Sequence, residues 1–406
     1  MQQMDGGVTA PQGFEAAGIM AGIKKDKKDM AVVFSQAPCQ VAGVFTRNLV
    51  KAAPVLWNRQ LVDSKAPCHA VVVNSGVANA CTGKEGLDNC AKTAEETAKV
   101  FGVPAGSVCV ASTGVIGPQL PMDKIVAGVH QLREAAGSSR ENARMAAEAI
   151  MTTDTVSKEV AVQTTIGGKT VTVAGMCKGS GMIHPDMCTM LCFLTTDAAI
   201  TQDALQQILS KDVEDTFNMI SVDGDTSTND TVLVLANGAS GCPEITGPGP
   251  EYDAFYEAFH AVMVDLCKRI AGDGEGATAL FEVQVIHASS KEQARTLSKS
   301  VVTSTLTKAA IYGHDANWGR ILCAMGYSGA VFDPDKVDLY FESAAGKLQI
   351  VAGGVATDYS EEEATRILSE PAVTALVDLK EGEASATAWG CDLTHEYVSI
   401  NADYRS

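Results

Sequence analysis

The sequence predicts a mixed α/β chain of the α+β kind, and three observations carry that prediction. β-rich and helical segments alternate irregularly along the chain, with no fixed repeat period. Hydrophobic residues make up 46% of the chain against 20% charged, the balance of a globular protein with a sizeable core. Thirty-seven glycines supply many tight turns between short elements. A length of 406 residues fits two or three domains, or one large one.

The elements follow in order. Residues 31–34 and 69–73 are apolar, largely β-branched runs and read as buried strands. Residues 86–101 read as a helix stopped by Gly102, with Pro104 beyond it. Ser138-x-x-Glu141 has the form of a capping box, and the Ala-, Met- and Glu-rich run 142–151 continues it. That helix delivers the tetrad Thr152-Thr153-Asp154-Thr155 at its C-terminal end. Runs 159–166 and 170–173 flank Gly167-Gly168, which predicts a β-hairpin. A strand is expected over 189–194, a helix over 202–209 and a strand over 231–235. From residue 281 the pattern reads strand (281–286), helix (291–300) and helix (317–325). A region 1–280 and a separate C-terminal α/β region 281–406 are therefore expected, although no Pro/Ser-rich linker separates them.

The formal charge of −18 argues against nucleic acid or an anionic membrane as partner, since both reward positive surface. The twelve cysteines contain no C-x-x-C pair. Cys188 and Cys192 lie four apart, but no further ligand follows at zinc spacing, and the seven histidines form no H-E-x-x-H pattern. Buried free thiols in a reducing cytosol, and no metal site, are expected. The N-terminus shows no signal-peptide pattern, and no apolar run approaches the ~18 residues of a spanning helix. A cytoplasmic protein is the expectation.

Two motifs are decoys. Gly167-Gly168-Lys169-Thr170 imitates the end of a P-loop, but position 163 is Gln and the context is strand–turn–strand. Asp223-Gly224-Asp225-Thr226-Ser227 imitates a calcium loop, but Thr228 and Val234 stand where the loop needs Gly and Glu. A hydrogen-bonded turn lining a site is the better reading.

The segment with chemistry in it runs from Lys178 to Leu194. A Gly-rich turn leads through Pro185 into an apolar strand whose first hydroxyl is Thr189. A Thr hydroxyl in a strand commonly does no more than bond to backbone. As a nucleophile it needs a base beside it. Making Thr189 a chain terminus supplies that base, because an α-amine with a pKa of roughly 7.7–8.0 is partly neutral at physiological pH. The same hydroxyl would make the cut by attacking the Cys188 carbonyl.

These residues carry a resemblance to the ornithine acetyltransferase family, the glutamate N-acetyltransferases of arginine biosynthesis. It extends over nearly the whole chain. Gly6 to Phe14, Asn74-Ser75-Gly76 with Ala78 to Gly83, and Ser112 to Gly117 match early blocks. Lys178 to Leu194, Gly272 to Thr278, Asn317 to Arg320 and Asn401 to Arg405 match later ones. The resemblance implies an αββα sandwich related to the self-processing aminopeptidase type, with smaller α/β parts. It implies self-cleavage between Cys188 and Thr189 into chains 1–188 and 189–406, with Thr189 then carrying the acetyl group. The oxyanion hole falls on Thr113 and Gly114, and substrate contacts on Thr152, Lys178, Thr189, Glu275, Asn401 and Ser406. Each role is chemically sensible. A Gly114 N–H and the Thr113 hydroxyl are oxyanion donors, Lys178 suits an α-carboxylate, and Glu275 suits ornithine's ammonium. Two departures stand out: Cys188 where the family usually has Ala, and Ser406 where it usually has Thr.

The implied reaction moves an acetyl group from N-acetylornithine to glutamate by a ping-pong route, with no resident cofactor. Acetyl-CoA as a further donor stays open. The two chains would stay associated and pair further into a homo-oligomer. A self-processed aminopeptidase or amidohydrolase is the main rival, with water as acceptor. A non-catalytic amino-acid-binding protein is the third reading.

Overall fold

Residues 30–45 form one sixteen-residue strand that serves two layers at once. The computed structural model describes residues 1–184 and 190–403. In chain order these form β1 (Gln2–Met4), β2 (Phe14–Ile19), β3 (Met30–Phe45), α1 (Ala53–Asp63), β4 (Cys68–Val77), α2 (Gly83–Phe101), β5 (Val108–Val115), α3 (Met122–Ala135) and α4 (Arg140–Ala149). Next come β6 (Lys158–Ile166), β7 (Lys169–Lys178), β8 (Leu191–Thr196), α5 (Gln202–Asp212), β9 (Ile220–Ser221), β10 (Thr231–Ala236) and α6 (Pro250–Gly272). The remainder is β11 (Leu280–Ala288), α7 (Lys291–Thr303), α8 (Thr305–Tyr312), α9 (Trp318–Gly326), β12 (Asp338–Ser343), β13 (Gly346–Ala352), β14 (Val355–Ala356), α10 (Glu361–Leu368), β15 (Ala372–Asp378), β16 (Ala384–Cys391) and α11 (His395–Asp403).

The first half of β3 pairs with β2 and β4, and its second half pairs antiparallel with β10. The pairing with β4 shifts register between Phe34 and Cys39, next to Pro38, where the strand passes from one layer to the other. One layer is thus β2, β3, β4 and β5. The other is β1-β6-β7-β8-β10 with the end of β3. Their facing sides share one core: Val33, Val71 and Val73 pack with Met176, Phe193 and Leu233. The alternate residues Val32, Val72 and Val110 turn outward against Ile125 and Val129 of α3 and Ala94 of α2. On the far side, Val173, Leu194 and Val234 meet Leu205 and Leu209 of α5 and Phe259 and Leu266 of α6. The result is an αββα sandwich. Strands buried on both faces explain why 31–34 and 69–73 read as continuous apolar runs rather than alternating ones.

A second sheet, β14-β13-β12-β15-β11-β16-β9, is built almost wholly from residues 280–391, with Ile220–Ser221 added at its edge. Helix α6 lies between the two sheets and packs on β6 and β7 of one and on β11 and β16 of the other. Its buried face stabilises both, at about 1.5–3 kcal/mol for each fully buried Leu or Phe. The sequence expectations leave this longest described helix unassigned, although Tyr252, Phe255, Phe259, Val262, Leu266 and Ile270 carry its helical period.

Most local expectations hold. Helix α2 ends on Gly102 at φ 71°, a left-handed stop. The β6–β7 hairpin turns on Gly167 and Gly168 at φ 55° and 76°, as a two-residue primed turn requires. One expectation is corrected. The cap of α4 is Ser139, not Ser138: its extended backbone lets Oγ accept from the Asn142 N–H at 3.2 Å. Glu141 does not complete a capping box and pairs with Arg144 instead. The described part of the strand expected over 189–194 begins at Leu191 and runs to Thr196. Cys81 and Cys323 are exposed, and the other described cysteines are buried. No helix among the described residues is long and apolar enough to cross a membrane.

Candidate active site

A cavity of about 140 Å³ opens where seven described chain segments meet. Its lining includes Thr113 and Gly114 at the end of β5, Thr152 after α4, Lys178 at the end of β7, Glu275 after α6 and Asn401 on α11. These are six of the site residues singled out from the sequence. The other three, Cys188, Thr189 and Ser406, lie outside the described residues. Met190, next in the chain after Thr189, lines a smaller recess of about 30 Å³ together with Thr113, Lys178 and Asp230. A larger groove of about 560 Å³ lies elsewhere, between Gly43–Arg47, α1 and α5, and holds none of these residues.

The local chain explains how each group is placed. Gly114 sits at φ 127°, and a Cβ there would lie 2.4 Å from the carbonyl carbon of Gly76 on the neighbouring strand, so only glycine fits. The strand around Thr113 is fastened from both sides. Ser112 Oγ donates to Asn74 Oδ1 at 2.7 Å, and Asn229 Nδ2 donates to the carbonyls of Ala78 (2.6 Å) and Ser112 (2.8 Å). This clamp fixes the strand end that carries Thr113 and Gly114.

Thr152 and Lys178 are tied to a buried ionic cluster. Asp154 Oδ1 accepts from Lys158 Nζ and from the Gly179 N–H, both at 2.7 Å, and its Oδ2 accepts from the Thr152 N–H at 3.0 Å. Lys158 Nζ also donates to Asp273 Oδ2 at 2.5 Å, and Ser180 Oγ donates to the Asp273 carbonyl at 2.7 Å. Burial alone would raise the Asp154 pKa, but the charges of Lys178 and Lys158 outweigh it and hold the carboxyl well below the usual carboxylate range. Burial likewise works against the Lys158 ammonium, and Asp154 and Asp273 overcome it and push its pKa up. Through these bonds the cluster holds the backbone at Thr152 and Gly179 and the Ser180 hydroxyl beside the cavity.

The acidic side is built differently. Glu275 Oε2 accepts from Asn401 Nδ2 at 2.8 Å, and a Cβ on Gly181 would lie 2.3 Å from the Glu275 carboxylate. Gly181 is thus the clearance that lets this carboxylate approach. Asp223 accepts from the N–H groups of Met182 (2.6 Å), Ile183 (2.9 Å) and Asp225 (3.2 Å) and from the Tyr397 hydroxyl (3.3 Å). The false calcium loop is a hydrogen-bonded turn beside the site, in line with the sequence reading. Asp230 is fully buried in the small recess. Burial pushes its pKa well above the ordinary value, against the pull of Ser227 and Lys178, and its Oδ2 has no hydrogen-bond partner among the described residues.

Several supporting residues escaped the sequence reading: Asp154, Lys158 and Asp273 of the cluster, and Asn229 of the clamp. The density of Asp, Thr and Asn in 152–155 and 223–230 pointed to Asp154 and Asn229, and Asp273 lay in the Gly272–Thr278 block, but nothing in the sequence singled out Lys158. Together the lining brings the Thr113 hydroxyl, the Gly114 backbone, one buried cation (Lys178) and one carboxylate (Glu275) around one small cavity.

Comparison with known proteins agrees with that chemistry. The chain matches the ArgJ family over residues 15–406. It is 50% identical over 397 residues to the arginine biosynthesis bifunctional protein ArgJ of Thermotoga neapolitana, covering 98% of this chain and 99% of that one. It is 52% identical to the protein of the same name from Symbiobacterium thermophilum, over the full length of both. Among solved structures, ornithine acetyltransferase complexed with ornithine from Mycobacterium tuberculosis is 44% identical, covers 46% of this chain and 98% of that chain, and has a TM-score of 0.42.

Proposed function

The chain belongs to the ArgJ family of arginine-biosynthesis acetyltransferases, and on that premise we propose that this cavity moves an acetyl group from N2-acetylornithine to glutamate. The observation that carries the reading is the meeting of Thr113, Gly114, Thr152, Lys178, Glu275 and Asn401 around one small cavity. In the first half-reaction the Thr189 hydroxyl attacks the acetyl carbonyl and passes its proton to the Thr189 α-amine. The tetrahedral oxyanion rests on Thr113 and the Gly114 N–H. The C–N bond then breaks, the α-ammonium returns the proton to the departing ornithine amine, and an acetyl ester remains on Thr189. In the second half-reaction the glutamate amine attacks that ester, and the Thr189 oxygen leaves with the proton.

Lys178 pairs with the α-carboxylate that both amino acids carry, and Glu275 with ornithine's side-chain ammonium. Thr152, Asn401 and Ser406 complete the substrate contacts. The α-amine exists as a base only after the peptide between Cys188 and Thr189 is cut, so self-cleavage precedes activity. The enzyme works in the cytoplasm without a resident cofactor. Acetyl-CoA is a second donor to be assayed beside acetylornithine.

Intact mass spectrometry tests the reading. Purified wild type should appear as two pieces split between Cys188 and Thr189, and Thr189→Ala as one intact, inactive chain. A full-length wild type that transfers acetyl groups would overturn the mechanism. Acetylornithine turned over at the same rate with and without glutamate would make the protein a hydrolase instead.

A further inference from the structure

A ping-pong pocket for these two amino acids has a charge problem. Ornithine brings a side-chain ammonium and glutamate a side-chain carboxylate, and Glu275 helps the first and repels the second. Lys178 is taken by the α-carboxylate common to both. The acceptor half-reaction therefore calls for another cation, and among the described residues that line the cavity the only cation is Lys178.

A second cation stands directly behind the wall. The Lys24 side chain lies along Gly76: a Cβ on Gly76 would be 3.0 Å from Lys24 Cγ. Gly76 in turn is in backbone contact with Gly114, opposite it in the β4–β5 register. At its far end, Lys24 Nζ donates to the carbonyl of Met151 at 2.8 Å, the residue before Thr152. The ammonium thus lies between the oxyanion strand and the Thr152 segment. Of its three N–H bonds, only that one has an acceptor among the described residues. Its backbone is anchored, since the buried Asp29 carboxylate accepts from the N–H groups of Ala21 (2.6 Å), Ile23 (2.5 Å) and Lys24 (2.9 Å).

We propose that Lys24 is the acceptor-specificity residue of the pocket, taking the side-chain carboxylate of glutamate in the second half-reaction. The inference rests on the function read above. Its electrostatic setting agrees. Burial pushes the Lys24 amine down to about 8, Asp29 and Asp154 pull it back up, and Lys27 and Lys178 add to the depression. This is a cation short of counter-charge, and an arriving carboxylate supplies it. When ornithine's ammonium is present instead, Lys24 keeps only its Met151 carbonyl and Glu275 carries the recognition. The two side-chain charges are then read by two different groups, so one pocket serves both substrates.

The test is steady-state kinetics on the self-cleaved enzyme with both substrates varied. Lys24→Gln should raise the KM for glutamate about ten- to a hundredfold, as loss of a charge-assisted hydrogen bond does, and leave the KM for acetylornithine within about twofold. Lys24→Arg keeps the charge and should recover most of the glutamate KM. Wild type should prefer glutamate over glutamine as acceptor, and Lys24→Gln should lose that preference. A merely structural lysine would move both KM values together and leave the glutamate-to-glutamine ratio unchanged, which overturns the proposal, as does a glutamate KM within twofold of wild type. If Lys24→Gln does not fold, the Arg variant and the acceptor ratio of wild type decide: no preference for glutamate over glutamine overturns it. A self-cleaved wild type that makes no acetylglutamate overturns the functional reading itself, a result separable from any effect at Lys24.

Discussion

Replacing Lys158 by Met removes the only cation that bridges Asp154 and Asp273. The Lys158 and Asp154 side chains are fully buried and that of Asp273 is 10% exposed. Met matches the aliphatic stem in volume, so the packing term is small and the loss is electrostatic. Breaking a buried pair by removing one partner costs about 3–5 kcal/mol, because a charge is left uncompensated. Two features place this case in the lower half of that range. Asp154 keeps the N–H groups of Gly179 and Thr152, and Asp273 keeps the Thr155 N–H at 3.1 Å. The expected loss is therefore about 3–4 kcal/mol, read from the urea midpoint at pH 7 with an unchanged slope. Asp154→Asn in the same chain should return at least about 1 kcal/mol, since it removes one of the two stranded charges. The pH dependence has a definite sign. The Asp154 pKa is depressed in the fold, so its stabilisation is present above the unfolded value and lost as pH falls through the folded one. The Lys158 pKa is raised, so its share is present below the unfolded value and lost as pH rises through the folded one. The gap between variant and wild type should be flat from about pH 5 to pH 10 and close at both ends. A loss under about 1 kcal/mol, or no recovery in the double variant, would refute the argument.

Thr113→Val keeps the side-chain shape and deletes the hydroxyl donor. It should lower kcat about 10²- to 10³-fold with little change in KM for either substrate, measured on the self-cleaved enzyme. Asp230→Asn should raise stability at neutral pH. Burial raises the Asp230 pKa in the fold, so its contribution is fully present below the unfolded pKa and is lost as pH rises through the raised folded one. A neutral amide removes that loss, and urea midpoints at pH 5 and pH 8 should differ less in the variant than in wild type.

The sequence was most readable where a single local cause sets the structure. Gly102 stops α2 because a left-handed residue is needed there, and Gly167-Gly168 turns the hairpin for the same reason. The αββα layering came from family resemblance rather than periodicity, and the cores show why. Val71, Val72 and Val73 serve the facing core, an outer core and the facing core again, so consecutive positions are all apolar and no alternation marks the face. Helix α6 was legible and overlooked, since its period-3.6 face is intact. The site divides in the same way. Lys178 and Glu275 were reachable through motif blocks, but nothing local announces that Asp154 will meet Asp273 across 119 positions through Lys158. Buried ionic clusters of this kind are set by tertiary approach, and a charged residue in a strand such as β6 reads from sequence as a solvated one.

The strand order shows what the proposed cut between Cys188 and Thr189 would leave joined. Strands β8 and β10 belong to the piece after residue 188, yet they lie between β7 and β3 of the piece before it. Strand β8 pairs with β7 from Leu191 opposite Lys178 to Thr196 opposite Val173, and β10 pairs with β3 from Thr231 opposite Phe45 to Ala236 opposite Gln40. The second piece would therefore stay inserted into the first, hydrogen-bonded along both flanks and covered by the α5 and α6 core on one face. Separating the pieces would break the middle of the sheet, which costs far more than one peptide bond contributes to holding it. The cavity uses the same arrangement: Thr113, Gly114, Thr152 and Lys178 come from before the cut, and Glu275 and Asn401 from after it. Dividing the chain near residue 280 describes the sheets, whereas the proposed division at residue 188 would run through the first sheet, and the interleaved strands allow both divisions in one molecule.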